Sequence, residues 1–269
     1  MKQKFIPGEE WLYAKIYLPV GRADSLIASL LRPMTRLERE GIIDRWFFIR
    51  YTDPQFHIRL RVHIPNPDSD LGKVITAIKE ILRRHPAASC IDKVVYDTYV
   101  RELDRYGASD IANCERFFHI DSRETCRILK GEYTEDTLWR RAITFIDGIL
   151  DMYKSSVEEK LEFVAQAARD NLRYSGMGDD ATKFLNGKYR EYRSKINDWL
   201  TPDMTKSTLS KELQQVYTDI LRTYPECTSS LIHMHCNRLF RSDQRLCEAT
   251  AYYFLSKHYN SIIARNKKS

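Results

Sequence analysis

The chain has 269 residues, of which 43% are hydrophobic and 12% aromatic, so it has enough apolar side chains for a packed core and too many for a disordered chain. The 43 Lys and Arg residues exceed the 37 Asp and Glu residues and give a net charge of +6, which suits an acidic ligand without requiring one. No apolar run approaches the ~20 residues that cross a bilayer, and the first residues lack the apolar stretch of a signal peptide. We therefore expect a cytoplasmic protein with no membrane span.

The cysteines also favour an intracellular compartment. None of the six forms a CxxC pair, which excludes a zinc ribbon or a thioredoxin-type motif. A chain of this length has little need of disulfides, so we expect free thiols throughout.

The first hundred residues alternate between strand-like and helix-like patterns. Amphipathic helices are predicted from Ala23 to Glu40 and from Leu71 to Leu82. The predicted strands are Trp11–Leu18, Ile43–Tyr51, His57–Ile64 and Ile91–Val100. The resulting order, βαββαβ, predicts a ferredoxin-like antiparallel sheet.

After residue 108 the strand signals fade and helical periodicity takes over. The predicted helices are Ile111–Leu129, Asp136–Tyr153, Val157–Asn171, Ala181–Leu200, Lys206–Thr223, Ser229–Phe240 and Cys247–Ala264. We predict an α+β fold in which a sheet-containing half, 1–108, packs with a mainly helical half, 109–269. Since no long linker separates the halves, a single domain spanning 1–269 is expected.

The most informative segment is HIRLRVHI, residues 57–64. On a strand, side chains alternate between faces, so His57, Arg59 and Arg61 share one face and the apolar residues share the other. Two arginines at positions i and i+2 can bind an anion such as a carboxylate, because the guanidinium donors match the geometry of its two oxygens. The preceding strand brings Arg50 near the same turn. An ordinary solvated basic face is the alternative interpretation.

Two further segments carry polar groups suited to chemistry. In YVRELDRYG, Glu102 and Arg105 are neighbours if the segment is helical, and Gly107 permits a tight exit, although an ordinary surface ion pair explains the pattern equally well. In SLIHMHCNRLF, His233 and Asn237 form a polar stripe that could hold a proton-transferring imidazole. His235 lies on the apolar side of this helix and is expected to be a core residue.

Several other classes of function are excluded by their missing motifs. The sequence has no GxxxxGK[ST], GxGxxG, GxSxG or HExxH. HMH is a poor metal site, because residues two apart on a helix do not face each other. An RNA-recognition domain would carry base-stacking aromatics in a K/R-G-F/Y motif, and HIRLR has none.

These segments together resemble a known family. RWFFIRYTDPQFHIRLR, YVRELDRYGASDIANCERFFHIDS and SLIHMHCNRLF, with WLYAKIYL near the start, are similar to the C-terminal elimination domain of class I lantibiotic dehydratases, also described as the thiopeptide-type bacteriocin biosynthesis domain. The matches follow the family's order across most of the chain. Ala108 and Arg241 depart from positions where the family often has Gly.

The resemblance implies an activity. In full-length members, a large part transfers glutamate from glutamyl-tRNA to Ser and Thr of a precursor peptide, and the smaller part expels glutamate to leave dehydroalanine or dehydrobutyrine. This chain resembles the smaller part alone, as in a split or stand-alone system. The resemblance implies that a precursor peptide and a separate glutamylation protein are the partners. It also implies that the chain needs no cofactor or metal and makes no direct contact with nucleic acid. The resemblance is compatible with a homodimer and with a monomer.

Residue roles follow from the matched motifs. The resemblance implies that Arg59, Arg61 and Arg105 bind the glutamyl carboxylates and the enolate, and that His233 is the acid or base. Glu102 either transfers a proton or orients an arginine. Five further polar residues of the matched segments are expected to bind substrate: Arg50, His57, Tyr106, Asn237 and Arg238.

Two other functions stay open at this point. Free-standing relatives called pyridine synthases join two dehydroalanines in a formal [4+2] cycloaddition and remove the leader peptide. A non-catalytic subunit that binds the leader peptide or the dehydratase partner is the second alternative, because a peptide can add as a strand to an exposed sheet edge.

Overall fold

A computed structural model describes residues 2–175, 180–201 and 208–267. The chain divides into two compact units. The first consists of Met1–Tyr133 with Arg222–Met234, and the second of Thr134–Leu221 with His235–Ser269. The first unit therefore contains the whole sheet region and also a long helix that the sequence assigned to the helical half.

The strands of the first unit form two antiparallel sheets. They are β1 (Lys4–Phe5), β2 (Trp11–Tyr17), β3 (Arg45–Thr52), β4 (Phe56–His63), β5 (Lys93–Asp97) and β6 (Tyr99–Val100). Strands β2 to β5 form one sheet in the spatial order β3-β4-β2-β5, and β1 pairs with β6 in the other. All of the paired strands run antiparallel.

The predicted strand Ile91–Val100 is divided in the structure. The Thr98 backbone N–H donates to the Asp97 carboxylate at 2.7 Å. At this point the chain leaves β2 and pairs with β1 instead. The prediction of one continuous strand was therefore wrong, because a local side-chain hydrogen bond competes with the ladder at the break.

The helices agree with the predicted ones to within a few residues. The described residues form α1 (Ala23–Arg39), α2 (Pro67–Arg84), α3 (Leu103–Tyr106), α4 (Ile111–Lys130), α5 (Glu135–Tyr153), α6 (Val157–Ser175), α7 (Asp180–Trp199), α8 (Lys211–Thr223), α9 (Thr228–Leu239) and α10 (Gln244–Asn266). A capping box of Thr134 and Thr137 begins α5. The predicted helix start at Lys206 lies outside the described residues.

The core of the first unit lies between the sheet and helices α1 and α2. Ile58, Leu60 and Val62 of β4 are completely buried there, together with apolar residues of both helices. Their burial confirms that the apolar face of HIRLRVHI points at the helices. His57, Arg59 and Arg61 consequently occupy the opposite face, since strand side chains alternate.

Helix α4 covers the free edge of β3. The Phe48 backbone N–H donates to Ser122 Oγ at 3.2 Å, and His119 Nδ1 lies 3.0 Å from the Trp46 carbonyl oxygen. Burial lowers the pKa of His119 to about 4, so its imidazole is neutral near pH 7. An edge strand presents unpaired backbone groups, and α4 satisfies them with side chains.

The second unit is helical in its described part. It contains a buried polar cluster, in which Lys160 pairs with Asp147 at 3.3 Å and Tyr259 donates to the same carboxylate at 2.6 Å. All six cysteines of the chain are free thiols, as the sequence predicts. In the part of the chain that the structure describes, no helix combines the length and apolarity needed to cross a membrane.

Candidate active site

The sheet face opposite α1 and α2 combines cations with aromatic rings. We call this the arginine face and define it by His57, Arg59 and Arg61 of β4 together with their cross-strand neighbours. In register, Arg61 lies between Tyr13 and Phe47, and Arg59 lies between Lys15 and Ile49. His57 is flanked in the same way by Tyr17 and Tyr51.

Arg61 packs among three aromatic rings. Its side chain is almost buried, and its guanidinium carbon lies 4.8 Å from the Tyr13 ring, 5.4 Å from Phe47 and 4.7 Å from Tyr99. The buried Nε has no hydrogen-bond partner, and among the described residues no carboxylate pairs with this guanidinium. A buried cation without a counter-ion is costly, which favours an anionic ligand at this position.

Arg59 likewise has no carboxylate within ion-pair distance among the described residues. Its guanidinium lies 3.3 Å from the centre of the Tyr51 ring, and its Nε donates to His57 Nε2 at 3.1 Å. On the same face, the Asp97 carboxylate pairs with Lys15 Nζ at 2.5 Å. Two neighbouring guanidinium groups are therefore available to bind an anion.

The segment after β6 forms the short helix that the sequence allowed for. Glu102 precedes α3, and its carboxylate lies 3.3 Å from Arg105 Nη1. Gly107 ends the helix with φ of +75°, and a Cβ at this position would lie 3.1 Å from the Tyr224 ring. The backbone conformation thus requires glycine, and any side chain would also press on the Tyr224 ring.

Arg105 connects this segment to α9. Its Nε donates to Ser230 Oγ at 3.0 Å. His233 is three residues after Ser230 and therefore lies on the same side of the helix. His233 is partly exposed. It belongs to the first unit, as do Arg59, Arg61 and Arg105.

A small cavity of about 30 Å³ adjoins the arginine face in the first unit. Arg61, Tyr99 and Glu102 line it, together with Tyr106 and Met234. Met234 follows His233 directly along α9. The structure therefore brings Arg61 and Glu102 to one cavity, with Arg59 beside Arg61 and with the Arg105–Ser230 contact at the neighbouring helix.

Three other predicted site residues do not line this cavity. Arg50 is on the helix-facing side of the sheet, where its Nη1 lies 2.7 Å from Asp24 of α1. Asn237 and the buried Arg238 belong to the second unit. His235 is buried as expected and stacks on Phe145 with the ring centres 3.6 Å apart.

The position of Arg50 leads to a prediction about stability. Asp24→Ala should lower the free energy of unfolding by about 3–5 kcal/mol, because it removes the Asp24 carboxylate from the buried Arg50 guanidinium. Urea unfolding measures the change. Glu80→Ala is the matched control, since it removes an exposed pair with Arg84 that contributes ~0–1 kcal/mol. Equal stability of the two variants would contradict this account of Arg50.

Sequence reasoning missed the buried network behind the cavity. Glu115 of α4 is fully buried and accepts two hydrogen bonds of 2.7 Å from Arg101, at Nε and Nη2, and one of 3.0 Å from the Tyr99 hydroxyl. Burial, reinforced by the Glu115 charge, raises the pKa of Tyr99 far above its usual range. This network fixes one ring that packs on Arg61. No sequence pattern pairs Glu115 with Arg101.

Two solved structures share the fold of this chain. The tRNA-dependent lantibiotic dehydratase MibB from Microbispora sp. 107891 superposes with a TM-score of 0.68 at 18% identity, over 97% of this chain and 29% of that chain. The pyridine synthase TbtD from thiomuracin biosynthesis superposes with a TM-score of 0.63 at 12% identity, over 94% of this chain and 100% of that chain.

Sequence comparisons give the relationship directly. The chain is 26% identical to the nisin biosynthesis protein NisB of Lactococcus lactis subsp. lactis, over 97% of the chain and 26% of that protein. It is 24% identical to the subtilin biosynthesis protein SpaB of Bacillus subtilis, over 90% of the chain and 25% of that protein. The chain thus spans about a quarter of the length of these relatives. The model of the family described as lantibiotic biosynthesis dehydratase C-term matches residues 11–259, and the chain belongs to this family.

Proposed function

We propose that this chain expels glutamate from glutamylated Ser and Thr residues of a ribosomally synthesised precursor peptide, leaving dehydroalanine and dehydrobutyrine. One observation carries the proposal. Two neighbouring guanidinium groups, Arg59 and Arg61, have no carboxylate partner among the described residues and are held by aromatic rings beside a cavity that Glu102 also lines. Family membership and the named relatives in nisin and subtilin biosynthesis support it.

The chemistry of elimination fits these groups. A base removes the α-proton of the esterified residue, the Cα=Cβ double bond forms, and the Cβ–O bond breaks as glutamate leaves as a carboxylate. Negative charge develops on the amide oxygen and on the leaving group, and preorganised cations at those positions stabilise the transition state. In this proposal the step is a carbon–oxygen lyase reaction.

Each residue has a role in the proposed reaction. Arg59 and Arg61 bind the glutamyl carboxylates, and Arg105, whose Nε is held by Ser230, stabilises the enolate. His233 is the acid or base that transfers a proton in the elimination. Glu102 lies close enough to Arg105 to orient it, and it also lines the cavity with Arg61, so both of its proposed roles remain.

The proposal extends to partners and fold type. The substrate is a precursor peptide that a separate glutamylation protein has already modified from glutamyl-tRNA. The strand, helix, strand, strand, helix, strand order of β2 to β5, with the spatial order β3-β4-β2-β5, supports a ferredoxin-like sheet region.

A pyridine synthase is the second candidate. The fold similarity to TbtD covers the whole of TbtD. The similarity to MibB covers 29% of MibB. A cyclase of this type would act on dehydroalanines that are already formed and would have no glutamate to expel. Arg59 and Arg61, which form no ion pair with a carboxylate of the described residues, favour elimination.

Incubation of the purified chain with a synthetic peptide carrying a glutamyl ester on Ser tests the choice. Elimination releases free glutamate and gives a dehydroalanine that a thiol can trap. Cyclisation of a peptide with two dehydroalanines, without glutamate release from the ester, would instead identify a pyridine synthase. Peptide binding with neither product would identify a non-catalytic subunit.

A further inference from the structure

His57 is fixed in orientation on the arginine face. Its side chain is 1% exposed, and the ring lies between Tyr17 and Tyr51, with ring-centre distances of 4.6 and 5.6 Å. Its Nδ1 lies 2.9 Å from the Gln55 carbonyl oxygen. Because a carbonyl oxygen can only accept, Nδ1 carries the proton and donates.

The other ring nitrogen of His57 determines how Arg59 is held. Arg59 Nε donates to His57 Nε2 at 3.1 Å, and the guanidinium plane rests 3.3 Å from the Tyr51 ring centre. The contact uses the Nε donor and leaves both Nη groups without a protein partner among the described residues. A carboxylate can then reach the fork of Arg59 only from its outer end, through Nη1 and Nη2.

This arrangement requires a neutral His57. An imidazolium would present a proton to Arg59 at Nε2 and lose the acceptor. Burial, with the positive charges of Arg59 and Lys15, lowers the pKa of His57, and Asp53 opposes them. The titratable and charged groups that face its ring come from β2, β3, the following turn and β4: Lys15, Tyr17, Tyr51, Asp53 and Arg59.

We propose that His57 is a positioning residue that does not bind substrate: it accepts from Arg59 Nε and so presents both Nη groups of Arg59 end-on to the substrate carboxylate. The inference rests on the proposed function. It replaces the direct substrate contact that the sequence suggested for His57. Its physical basis is that a planar guanidinium held at its Nε edge and on one face loses little freedom when it binds.

Two substitutions at His57 separate positioning from simple packing. In His57→Gln the side-chain oxygen reaches the place of Nε2 and can still accept from Arg59. His57→Asn ends near the place of Nδ1 and loses that acceptor. We expect the Asn variant to raise KM for a glutamylated peptide about 10-fold, since a hydrogen bond to a charged group contributes ~1.5–3 kcal/mol, while the Gln variant stays within about 3-fold of wild type.

A spectroscopic signal tests the contact without turnover. The Arg59 Nε–H resonance should exchange slowly with water in the wild type and in His57→Gln, and rapidly in His57→Asn. His63→Asn is the matched control, because His63 is on the same strand and face but pairs with Asp44. It should leave KM and the Arg59 signal unchanged. As the pH falls through the lowered pKa of His57, KM should rise in the wild type and stay level in the Gln variant.

These measurements distinguish failure of the positioning role of His57 from failure of the proposed function. Equal KM values and equal Arg59 exchange in the Gln and Asn variants would overturn the positioning role, and so would a His63→Asn effect as large as that of His57→Asn. If the wild type releases no glutamate, the proposed function fails on its own. The Arg59 exchange rates, measured with and without glutarate as a probe, then still decide whether His57 holds Arg59.

Discussion

Arg61→Met is expected to abolish most glutamate elimination while making the protein more stable. The loss should be about 10²–10³-fold in the single-turnover rate, the usual effect of removing one preorganised donor from a site where charge develops. Glutamylated precursor should accumulate, because Arg61 takes part in the proposed elimination and not in the attachment of glutamate. Rapid-quench measurement of released glutamate gives the rate.

The expected stabilisation has a separate cause. The Arg61 guanidinium is almost buried among Tyr13, Phe47 and Tyr99 without a carboxylate among the described residues, so folding carries the cost of burying a charge that no carboxylate of these residues offsets. Methionine fills similar space and packs well on rings. Urea unfolding should therefore give a higher free energy of unfolding for Arg61→Met than for the wild type.

Arg45→Ala serves as the control for this prediction. Arg45 is also on the sheet, but it lies 3.4 Å from the Asp44 carboxylate and 4.0 Å from the Glu115 carboxylate, and so already has counter-ions. Its removal should leave elimination within about 3-fold of wild type. Full activity in Arg61→Met, or an Arg45→Ala variant as inactive as Arg61→Met, would show that Arg61 is not the anion site.

The second large effect concerns the two histidines of α9. His233→Asn should reduce elimination by about 10²–10⁴-fold, the typical loss when a general acid or base is removed, with little change in melting temperature. His233 is partly exposed, and the Ser230 that holds Arg105 is three residues before it on the same side of the helix. Single-turnover assays with thermal unfolding measure both quantities.

His235→Asn provides the internal control, because it should do the reverse. His235 is fully buried and stacks on Phe145, so a shorter side chain removes a ring contact and leaves a cavity. The melting temperature should fall clearly while the remaining folded protein keeps most of its activity. A stable, inactive His235 variant beside an active His233 variant would reverse the assignment.

The arginine face could be predicted from the sequence because alternation along a strand is strict. HIRLRVHI places its apolar residues on one side, and the structure confirms that Ile58, Leu60 and Val62 are buried against the helices. The sequence predicts Arg50 as a substrate-binding residue, but it lies on the helix-facing side of the sheet. The same alternation of side chains explains this difference. Trp46, Phe48 and Arg50 share a face of β3, but the strand is apolar on both faces, so its alternation was not visible in the sequence.

The long-range contacts of the site could not be predicted in the same way. Glu115 binds Arg101 and Tyr99 because α4 packs beside β3, and neither propensity nor periodicity encodes which helix covers a sheet edge. The placement of α4 in the first unit has the same origin. By contrast, the i, i+3 contact of Glu102 with Arg105 and the positive φ of Gly107 are local, and the sequence predicts both.

The central claim is that the glutamyl group binds on the arginine face. A crystal structure of the chain with a peptide in which an amide replaces the glutamyl ester tests it most directly, because the amide binds but resists elimination. The account predicts a glutamyl carboxylate on the Nη groups of Arg59 and Arg61, with the modified residue's α-carbon towards His233. A glutamyl group bound away from both arginines would contradict it.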